Sequence, residues 1–516
     1  MSNAFRNPRL LMPDFWASNG RWRSAQVAVE SETARLTWGE LTARMNQVGR
    51  GLGALGLQPG ARVGLLMAND VAYVEALMGV MAGGFVAVPL NPGVTEAAIA
   101  VMLADAEVSA VIVTVDHAQR ITPPSSLIDG ALLCAEGDAP GWRRYEDWRD
   151  EQSPEPLDVV IEPGMLCNII YSSGTTGAPK GIVHTHGQRL AFTEGTAQSL
   201  RYHGGCVTLI ITGLHSNITW VSLLATLLIG GVLVVRRGFK PDEVMPLIER
   251  FGITNFSAVP MQFQRVLEAG GFDRHDIASI RAVMCCGSPL PEQIKRAWIA
   301  LLPHGFIELF GSTEGVATTL EPEEAPGKMR SVGLPAPGSD IVILGNDDKP
   351  VAAGVAGEIA GRTRWMMDGY WRRPDATAEA TWIDAHGTPW LRTGDIGRLD
   401  EDGYLYVFDR KKDMIVSGGQ NVFPADIETV MADHPQVFEC AVIGVPDPKW
   451  GETPLAVVTP RGDDADADEM LQWTNARVGK FQRVSRVVFL EDLPRNAAGK
   501  VLKRELRERL SSVKPD

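Results

Sequence analysis

The segment from Tyr171 to Gly181, YSSGTTGAPKG, is rich in small and hydroxylated residues and directly follows an apolar, strand-like run. Small residues let a backbone curl closely around phosphate oxygens, successive N–H groups and hydroxyls supply donors, and Lys180 adds a positive charge. It is not a Walker A loop, because Pro179 precedes the lysine and Gly181 follows it. A flexible surface loop is the alternative interpretation. We favour a phosphate-binding loop, with nucleotide contacts from Ser172, Ser173, Gly174, Thr175, Thr176, Gly177 and Lys180.

This loop resembles the signature phosphate loop of the acyl-adenylate-forming enzymes, which include acyl-CoA synthetases, luciferases and the adenylation domains of peptide synthetases. Further motifs follow in that family's order and extend the resemblance to nearly the whole chain. They are CGSPL (286–290), ELFGSTEG (308–315), WLRTGD (390–395), DRKKDMIVSGGQNVFPADIE (409–428) and LPRNAAGKVLKREL (493–506). The resemblance implies an AMP-forming acid–thiol ligase that uses ATP, Mg²⁺ and coenzyme A. Such an enzyme converts a carboxylic acid and ATP to an acyl-adenylate and pyrophosphate, then transfers the acyl group to coenzyme A.

The resemblance implies adenine contacts from CGSPL and ELFGSTEG, where Phe310 replaces the family's usual tyrosine. Phe310 can still stack on adenine, and a plain core position is its alternative. Thr176 and Glu314 would supply the hard oxygen ligands that Mg²⁺ prefers, although Glu314 alone equally fits a surface or helix-capping carboxylate. The nucleotide contacts implied by these two motifs are Gly287, Ser288, Pro289, Glu308, Phe310, Gly311, Ser312 and Thr313.

Three charged residues nearer the C-terminus also receive roles from the resemblance. Asp395 would accept hydrogen bonds from both ribose hydroxyls, although it also fits an ordinary turn after Gly394. Arg410 would contact the same sugar or the phosphates. Lys500 would approach the α-phosphate and the attacking carboxylate, where a positive charge offsets the negative charge that develops in the transition state.

In this family the C-terminal domain takes one orientation for adenylation and another for thioester formation. Lys412 matches the hinge position. Ser417, Gly418 and Gly419 match the segment that lines the pantetheine tunnel, where the absence of side chains permits close approach. Trp450, in DPKWGE, would help shape the thiol site, and simple packing is its alternative.

Four residues bear on the acid itself. His215 matches an aromatic or histidine position beside the reacting carboxylate, with a structural histidine as the alternative. Asn217 and Trp220 would line the pocket wall. Gly311 stands where acetyl-specific relatives carry a tryptophan that fills the pocket floor. We therefore expect a small-molecule carboxylic acid larger than acetate, either an aromatic or a medium-chain monocarboxylate.

The elements that position these motifs alternate helical patterns with short Val- and Ile-rich runs, such as 61–67, 85–90 and 282–287. This alternation predicts parallel α/β layers. From about Gly354 the pattern becomes shorter and richer in turns. We predict a large N-terminal α/β domain of layered sheets, residues 1–409, with the ATP and acyl pockets. A small mobile α+β domain, residues 410–516, would carry Lys500 and the face of the thiol tunnel.

Two stretches invite a different interpretation. GLGALG (51–56) matches the dinucleotide fingerprint GxGxxG, but the apolar residues before it recur at helical spacing, so the glycines end a helix. The uncharged stretch from Ile218 to Val235 is long enough to test as a membrane span. Because Gly230 and Gly231 divide it, we predict a buried helix followed by a strand. A Rossmann dehydrogenase and a membrane span are both disfavoured.

Composition limits the partners of the 516-residue chain. A formal net charge of −14 makes nucleic acid or an anionic membrane surface a poor partner. The six cysteines form no Cys-x-x-Cys pair and fit a reducing compartment, with Cys285 and Cys286 in a strand core. The N-terminus lacks the apolar stretch of a secretion signal, so we predict a cytoplasmic protein. A homodimer remains open.

Competing functions are an adenylating enzyme whose acceptor is a carrier-protein thiol, a luciferase-like oxidase, and a nucleotide-sensing binding module. No fused carrier domain is evident, and SGGQN (417–421) fits a free pantetheine acceptor. The joint presence of Glu314, Asp395, Arg410 and Lys500 argues against a sensor, because sensing requires no mobile lysine.

Overall fold

The structure is a computed structural model that describes residues 10–172, 179–462, 464–495 and 501–510, with the backbone alone at Ser172 and Asn421. The chain divides into two compact units. The first unit comprises Met1–Gly327, Pro335–Asp340 and Arg362–Leu391, and the second comprises Lys328–Leu334, Ile341–Gly361 and Arg392–Asp516. The predicted boundary between residues 409 and 410 lies within the second unit, and it stays a prediction.

The α-helices of the described residues alternate with strands through most of the chain. They are α1 (Met12–Trp22), α2 (Trp38–Ala54), α3 (Val71–Ala82), α4 (Glu96–Asp105), α5 (Tyr145–Asp150), α6 (His186–Ser199), α7 (Asn217–Ile229), α8 (Pro241–Phe251), α9 (Pro260–Ala269), α10 (Glu292–Leu301), α11 (Pro374–Glu379), α12 (Pro424–Ala432), α13 (Ala467–Asn475) and α14 (Lys503–Leu510). Short 3₁₀ helices cover Val115–Arg120 and Lys480–Gln482.

The strands are mostly short. They are β1 (Val27–Glu30), β2 (Arg35–Thr37), β3 (Arg62–Leu66), β4 (Val86–Pro89), β5 (Val108–Thr114), β6 (Leu132–Ala135), β7 (Arg143–Arg144), β8 (Leu166–Ser172), β9 (Lys180–Thr185), β10 (Val207–Ile210), β11 (Val232–Val235), β12 (Asn255–Ala258), β13 (Ala282–Cys286), β14 (Phe306–Gly311), β15 (Ala317–Leu320), β16 (Leu334–Pro335), β17 (Ser339–Leu344), β18 (Gly357–Thr363), β19 (Gly369–Tyr370), β20 (Thr381–Ile383), β21 (Pro389–Leu399), β22 (Leu405–Arg410), β23 (Ile415–Ser417), β24 (Gln420–Val422), β25 (Val437–Asp447), β26 (Gly451–Pro460) and β27 (Val487–Phe489).

Two large sheets organise the first unit. The nine-stranded sheet has the order β16-β15-β14-β13-β12-β10-β11-β1-β2, and its strands β10 to β14 are parallel neighbours. The eight-stranded sheet has the order β19-β9-β8-β4-β3-β5-β6-β7. The strands predicted at 61–67, 85–90 and 282–287 form as β3, β4 and β13. The predicted α/β class is confirmed.

Strand side chains alternate between two cores, because successive residues of a strand face opposite sides of the sheet. In β13, Met284 and Cys286 join the core shared by both sheets with helices α2, α3 and α7. Val283 and Cys285 face the other core, formed with α8, α9 and α10. Both cysteines are therefore core residues, as predicted.

The uncharged stretch after Ser216 folds as predicted into helix α7 and strand β11. Gly230 ends the helix in the left-handed region, with φ of 73°, where glycine has no side-chain penalty. Helix α2 ends at Ala54, so the glycines of GLGALG belong to a helix end, also as predicted. In the part of the chain that the structure describes, no helix has the length and apolarity needed to cross a bilayer.

The second unit contains a sheet of order β24-β23-β26-β25, with β27 beside β26. Val442 of β25 packs toward α12 and α13, whereas its neighbours Ala441 and Ile443 pack with Leu506 of α14. Helices therefore cover both faces of this sheet. Another five-stranded sheet, whose strands do not all belong to the second unit, has the order β17-β18-β21-β20, with β22 paired to β21. The predicted α+β pattern of this part of the chain is confirmed.

Candidate active site

Part of the predicted site lies outside the described residues: Ser173, Gly174, Thr175, Thr176, Gly177, Lys500 and the side chain of Ser172. The stem of the predicted phosphate loop is described. β8 ends at Ser172, β9 begins at Lys180, and these two residues are partners across an antiparallel pair. The loop is therefore the connection of a hairpin that starts at the carboxyl end of β8.

Lys180 and Glu314, predicted to act on the phosphates and on Mg²⁺, meet at one tyrosine. Strand β19 runs antiparallel to β9 and places Tyr370 opposite Ile182. The Lys180 Nζ lies 5.1 Å from the centroid of the Tyr370 ring, which is a cation–π distance. The Tyr370 hydroxyl donates a hydrogen bond of 3.0 Å to Glu314 Oε1. The Tyr370 side chain therefore contacts both Lys180 and the Glu314 carboxylate.

Backbone hydrogen bonds also fix the main chain on either side of Glu314. Met367 N donates to Glu314 O at 2.8 Å, and Ser312 N donates to Val316 O at 3.1 Å. The Glu314 side chain is half-buried. A carboxylate has acceptor capacity beyond one phenol, and Mg²⁺ is usually bound by one or two carboxylates together with substrate phosphates. Glu314 therefore fits the predicted metal role.

Three predicted segments share one edge of the nine-stranded sheet. The His215 loop follows β10, Gly287 follows β13, and Gly311 ends β14. Since the carboxyl ends of parallel strands form the ligand-binding edge of α/β sheets, this placement suits a pocket. A Cβ on Gly287 would lie 2.7 Å from Ile218 Cδ1 in the first turn of α7, so the predicted adenine turn adjoins the His215 segment.

Gly311 is constrained by the neighbouring strand. A Cβ at this position would lie 2.5 Å from the carbonyl oxygen of Val316. This close backbone approach is a second reason for glycine, besides the open pocket floor that the sequence suggests. Phe310, the residue before it, is half-buried.

Glu308 lies deeper than the other predicted adenine contacts. Its side chain is buried in β14 and forms an ion pair with buried Lys295 of α10. Burial raises the pKa of the Glu308 carboxyl, and the lysine opposes that shift. Gly287 and Pro289 are exposed and Ser288 is half-buried. The adenine roles of these residues stay predictions.

The loop that carries His215 is pinned by Asn69, which follows strand β3. Asn69 Nδ2 donates to Thr212 O at 2.8 Å, and its Oδ1 accepts from Leu214 N at 2.8 Å. Trp220 Nε1 donates to Leu214 O at 2.7 Å. Because these hydrogen bonds hold the main chain on both sides of Gly213, the position of His215 is set by the body of the first unit.

His215 is half-buried, and burial lowers its pKa to about 4. The imidazole is therefore neutral at neutral pH and cannot serve there as a fixed positive charge. Trp220 is fully buried. Its ring belongs to the core and packs against Arg189, whose guanidinium carbon lies 4.9 Å from the ring centroid.

In the second unit, Asp395 and Arg410 are cross-strand partners in the β21–β22 pair. Arg410 Nε lies 2.8 Å from Asp395 Oδ1, and Thr393 Oγ1 accepts the Asp395 N–H at 3.0 Å. The two residues predicted to contact the ribose therefore lie side by side. A nucleotide hydroxyl would have to share the carboxylate with the guanidinium.

Gly418 approaches two aromatic rings closely. Its φ is 59°, and a Cβ would lie 2.7 Å from Trp450 Cε3 and 3.1 Å from Phe481 Cε1. Gly418 N donates to Trp450 O at 2.7 Å. Ser417 is buried, whereas Gly419 is exposed. The structure thus brings together the predicted tunnel segment and Trp450, and adds Phe481 to them.

The predicted hinge residue, Lys412, is exposed. The residues before and after it, Lys411 and Asp413, each form an ion pair. Lys411 Nζ donates to Glu358 Oε2 at 3.0 Å, and Arg507 of α14 donates to Asp413 Oδ1 at 2.5 Å. A hinge motion at Lys412 would have to keep or break these ion pairs.

Sequence reasoning missed Tyr370, Asn69 and Arg189. Asn69 had a usable signal, because it is a polar residue three positions after the end of a buried parallel strand. Arg189 is an isolated arginine in a helix that becomes buried, and Tyr370 carries no local signal. Their roles depend on contacts between segments far apart in the chain.

Residues 15–371 match the family described as AMP-binding enzyme, and residues 426–500 match its C-terminal domain. The chain is 34% identical over 489 residues to feruloyl-CoA synthase of Amycolatopsis sp, covering 94% of this chain and 96% of the relative. It is 32% identical over 502 residues to the long-chain-fatty-acid–CoA ligase FadD13 of Mycobacterium tuberculosis, covering 95% and 96%. The crystal structure of ATP-bound MatB from Rhodopseudomonas palustris aligns with a TM-score of 0.88 at 27% identity, covering 98% and 100%.

Proposed function

This chain belongs to the AMP-binding enzyme family, and on that premise we propose that it joins a carboxylic acid to coenzyme A through an acyl-adenylate. In the first step a carboxylate oxygen attacks the α-phosphorus of ATP, and the bond to pyrophosphate breaks. In the second step the thiol sulfur attacks the acyl carbon, the bond to AMP breaks, and the thiol proton is released. Relatives named as CoA ligases support this reaction class.

The observation that carries the proposal is the contact of Tyr370 with both Lys180 and Glu314. A cation beside the loop stem would bind terminal phosphates of ATP, as the loop sequence suggests. Glu314, with Thr176, would hold Mg²⁺, which neutralises phosphate charge when bound. His215, neutral at this site, would lie against the reacting carboxylate.

In the second unit, Asp395 and Arg410 would bind the ribose, and Lys500 would stabilise charge at the α-phosphate. Ser417, Gly418, Gly419 and Trp450 would line the path of the pantetheine thiol, a role supported by the close approach of Gly418 to Trp450. Residues 410–516 would reorient about Lys412 between the two steps.

The acid would be an aromatic or medium-chain monocarboxylate larger than acetate. Glycine at position 311 supports this size class, as do relatives named for feruloyl and long-chain acyl groups. The six cysteines, all in described parts of the chain, are unpaired, which supports a cytoplasmic location.

The test is AMP release from ATP and Mg²⁺ with a panel of acids from acetate to octanoate, benzoates and cinnamates, with and without coenzyme A. We expect AMP release that requires both an acid and coenzyme A. Lys500→Ala should lower the adenylation rate at least about 100-fold. Lys349→Ala should not, because Lys349 is exposed and its side chain pairs with nearby Asp347.

AMP release at the same rate with and without coenzyme A would indicate that the acyl acceptor is a different molecule. No AMP release with any acid would overturn the proposed function. Equal adenylation rates for Lys500→Ala and the parent would remove Lys500 from the mechanism while leaving the reaction class intact.

A further inference from the structure

Arg189 of α6 carries a buried positive charge whose hydrogen-bond partners are neutral. The side chain is 1% exposed. Its Nε donates to Asn168 Oδ1 at 2.6 Å, and one terminal nitrogen lies 3.1 Å from His184 Nδ1. The other terminal nitrogen donates to Asn217 Oδ1 at 2.8 Å. Among the residues that the structure describes, no carboxylate forms an ion pair with this guanidinium.

Aromatic faces complete the surroundings of this charge. The Arg189 guanidinium carbon lies 4.9 Å from the centroid of Trp220 and 5.2 Å from that of Phe192. Burial lowers the pKa of Arg189 to about 9, so the group is still charged at neutral pH. Burying a cation without a carboxylate is costly, and the surrounding dipoles must therefore be oriented toward it.

This orientation decides which way the Asn217 amide points. An arginine side chain has only donors, so Asn217 must turn its oxygen toward Arg189. The Nδ2 group, with two N–H donors, consequently points away from the guanidinium. Asn217 is half-buried, and within the described ranges no acceptor is found for Nδ2. Two donors are thus left outside the hydrogen-bond network of the described residues.

Asn217 lies in the segment that was predicted to line the acid pocket. Asn217 begins α7 two residues after His215. The next residue, Ile218, adjoins the Gly287 turn. Arg189 also reaches the Thr313 segment, because its partner His184 lies with Nε2 3.0 Å from Thr313 O. The network around Arg189 therefore links Asn217, predicted to line the acid pocket, with the Thr313 segment, predicted to contact the nucleotide.

We propose that Asn217 is a specificity-determining residue whose amide N–H groups donate to an oxygen of the acyl part of the substrate, and that Arg189 is its positioning residue. The acid is then one with a hydroxyl, ether or carbonyl oxygen distant from the reacting carboxylate. This inference rests on the proposed function, because it assigns an acid class to the same pocket. A site built to donate hydrogen bonds rejects an analogue without the acceptor, since its donors are left unpaired.

Asn217→Asp tests this directly. An aspartate is isosteric, keeps an acceptor for Arg189 and removes the two amide donors. Its added negative charge lies beside the Arg189 guanidinium, which offsets it. The matched control is Asn91→Asp, which makes the same change where the amide oxygen accepts the Gly93 N–H at 2.7 Å. The readout is kcat/KM for matched acids with and without one oxygen: cinnamate against 4-hydroxy- and 3-methoxycinnamate, and octanoate against 8-hydroxyoctanoate.

We expect the parent to favour one oxygenated acid over its unsubstituted match by roughly 10-fold or more, and Asn217→Asp to bring that ratio close to one. The unsubstituted acid should keep its kcat/KM within about threefold, and Asn91→Asp should keep the parent ratio. An equal loss for both members of each pair would make Asn217 merely structural and overturn the proposal. So would a parent that turns over acids without preferring any oxygenated one, whereas a parent that turns over no acid refutes the proposed function itself.

Discussion

Replacing Tyr370 with phenylalanine separates its two contacts. The ring that lies 5.1 Å from Lys180 Nζ remains, while the hydroxyl that donates to Glu314 Oε1 at 3.0 Å is lost. The backbone of Tyr370 should stay in place, because it pairs with β9 and its N–H donates to Thr377 Oγ1 at 3.0 Å. The substitution therefore perturbs the orientation of one carboxylate with little change in packing.

The magnitude follows from the burial of the pair. A hydrogen bond to a charged group contributes about 1.5–3 kcal/mol when well shielded. Tyr370 and Glu314 are both half-buried, so water competes and we take about 1–1.5 kcal/mol. At 1.36 kcal/mol per factor of ten, this corresponds to roughly a 5- to 13-fold lower kcat/KM for adenylation.

The assay is acid-dependent ATP–pyrophosphate exchange measured as Mg²⁺ is varied. If Glu314 binds the metal, Tyr370→Phe should also raise the Mg²⁺ concentration that gives half-maximal rate. Tyr406→Phe is the matched control, because Tyr406 donates to the Asp400 carboxylate at 3.2 Å and has no predicted site role. A Tyr370→Phe rate within twofold of the parent at all Mg²⁺ concentrations would refute this reasoning, as would an equal effect of the control.

Three further predictions concern backbone space and acid stability. Gly311→Ala must displace Val316 by about 0.5 Å and should slow adenylation of every acid, short ones included, by roughly 10-fold in AMP-release assays. Gly418→Ala, at φ of 59° and against Trp450, should slow acyl-CoA formation roughly 10-fold while pyrophosphate exchange stays near the parent rate. Buried His186 has its pKa lowered from 6.5 to about 4, so the unfolded state binds its proton first and stability falls as pH drops through that window. His186→Leu should remove about 2 kcal/mol of the loss between pH 7 and pH 5, measured as a smaller fall in thermal midpoint over that interval.

Each of these three predictions would be contradicted by a specific result. If Gly311→Ala spares short acids and impairs only long ones, pocket size rather than backbone approach explains the glycine. If Gly418→Ala slows both half-reactions equally, the segment has no special part in the thiol step. If the midpoint of His186→Leu falls with pH as steeply as that of the parent, other groups dominate its acid sensitivity.

Much of the scaffold could be predicted from local pattern. The strands β3, β4 and β13 are short apolar runs between helical patterns, and such runs form strands because they suit a sheet buried on both faces. Gly230 divided the uncharged stretch as expected, because a left-handed helix end favours glycine over every other residue. Local pattern predicted a large and a small domain, but it did not predict that Lys328–Leu334 and Ile341–Gly361 belong to the second unit. That assignment depends on which distant segments pack together.

The sequence by itself indicated a phosphate-binding loop and, through the resemblance of its motifs to a known family, the reaction class, because these motifs are runs of neighbouring residues. It also indicated the α/β scaffold, for the same reason. Only the tertiary structure decided that Tyr370 lies against Lys180 and Glu314, and that Arg189 turns the amide of Asn217. Those relations join residues that are many positions apart in the chain, and hydrogen bonds of about 3 Å form only when the packed elements bring such residues together. The motifs were therefore enough to identify the family, whereas the orientation of the side chains around the predicted acid pocket depends on the fold.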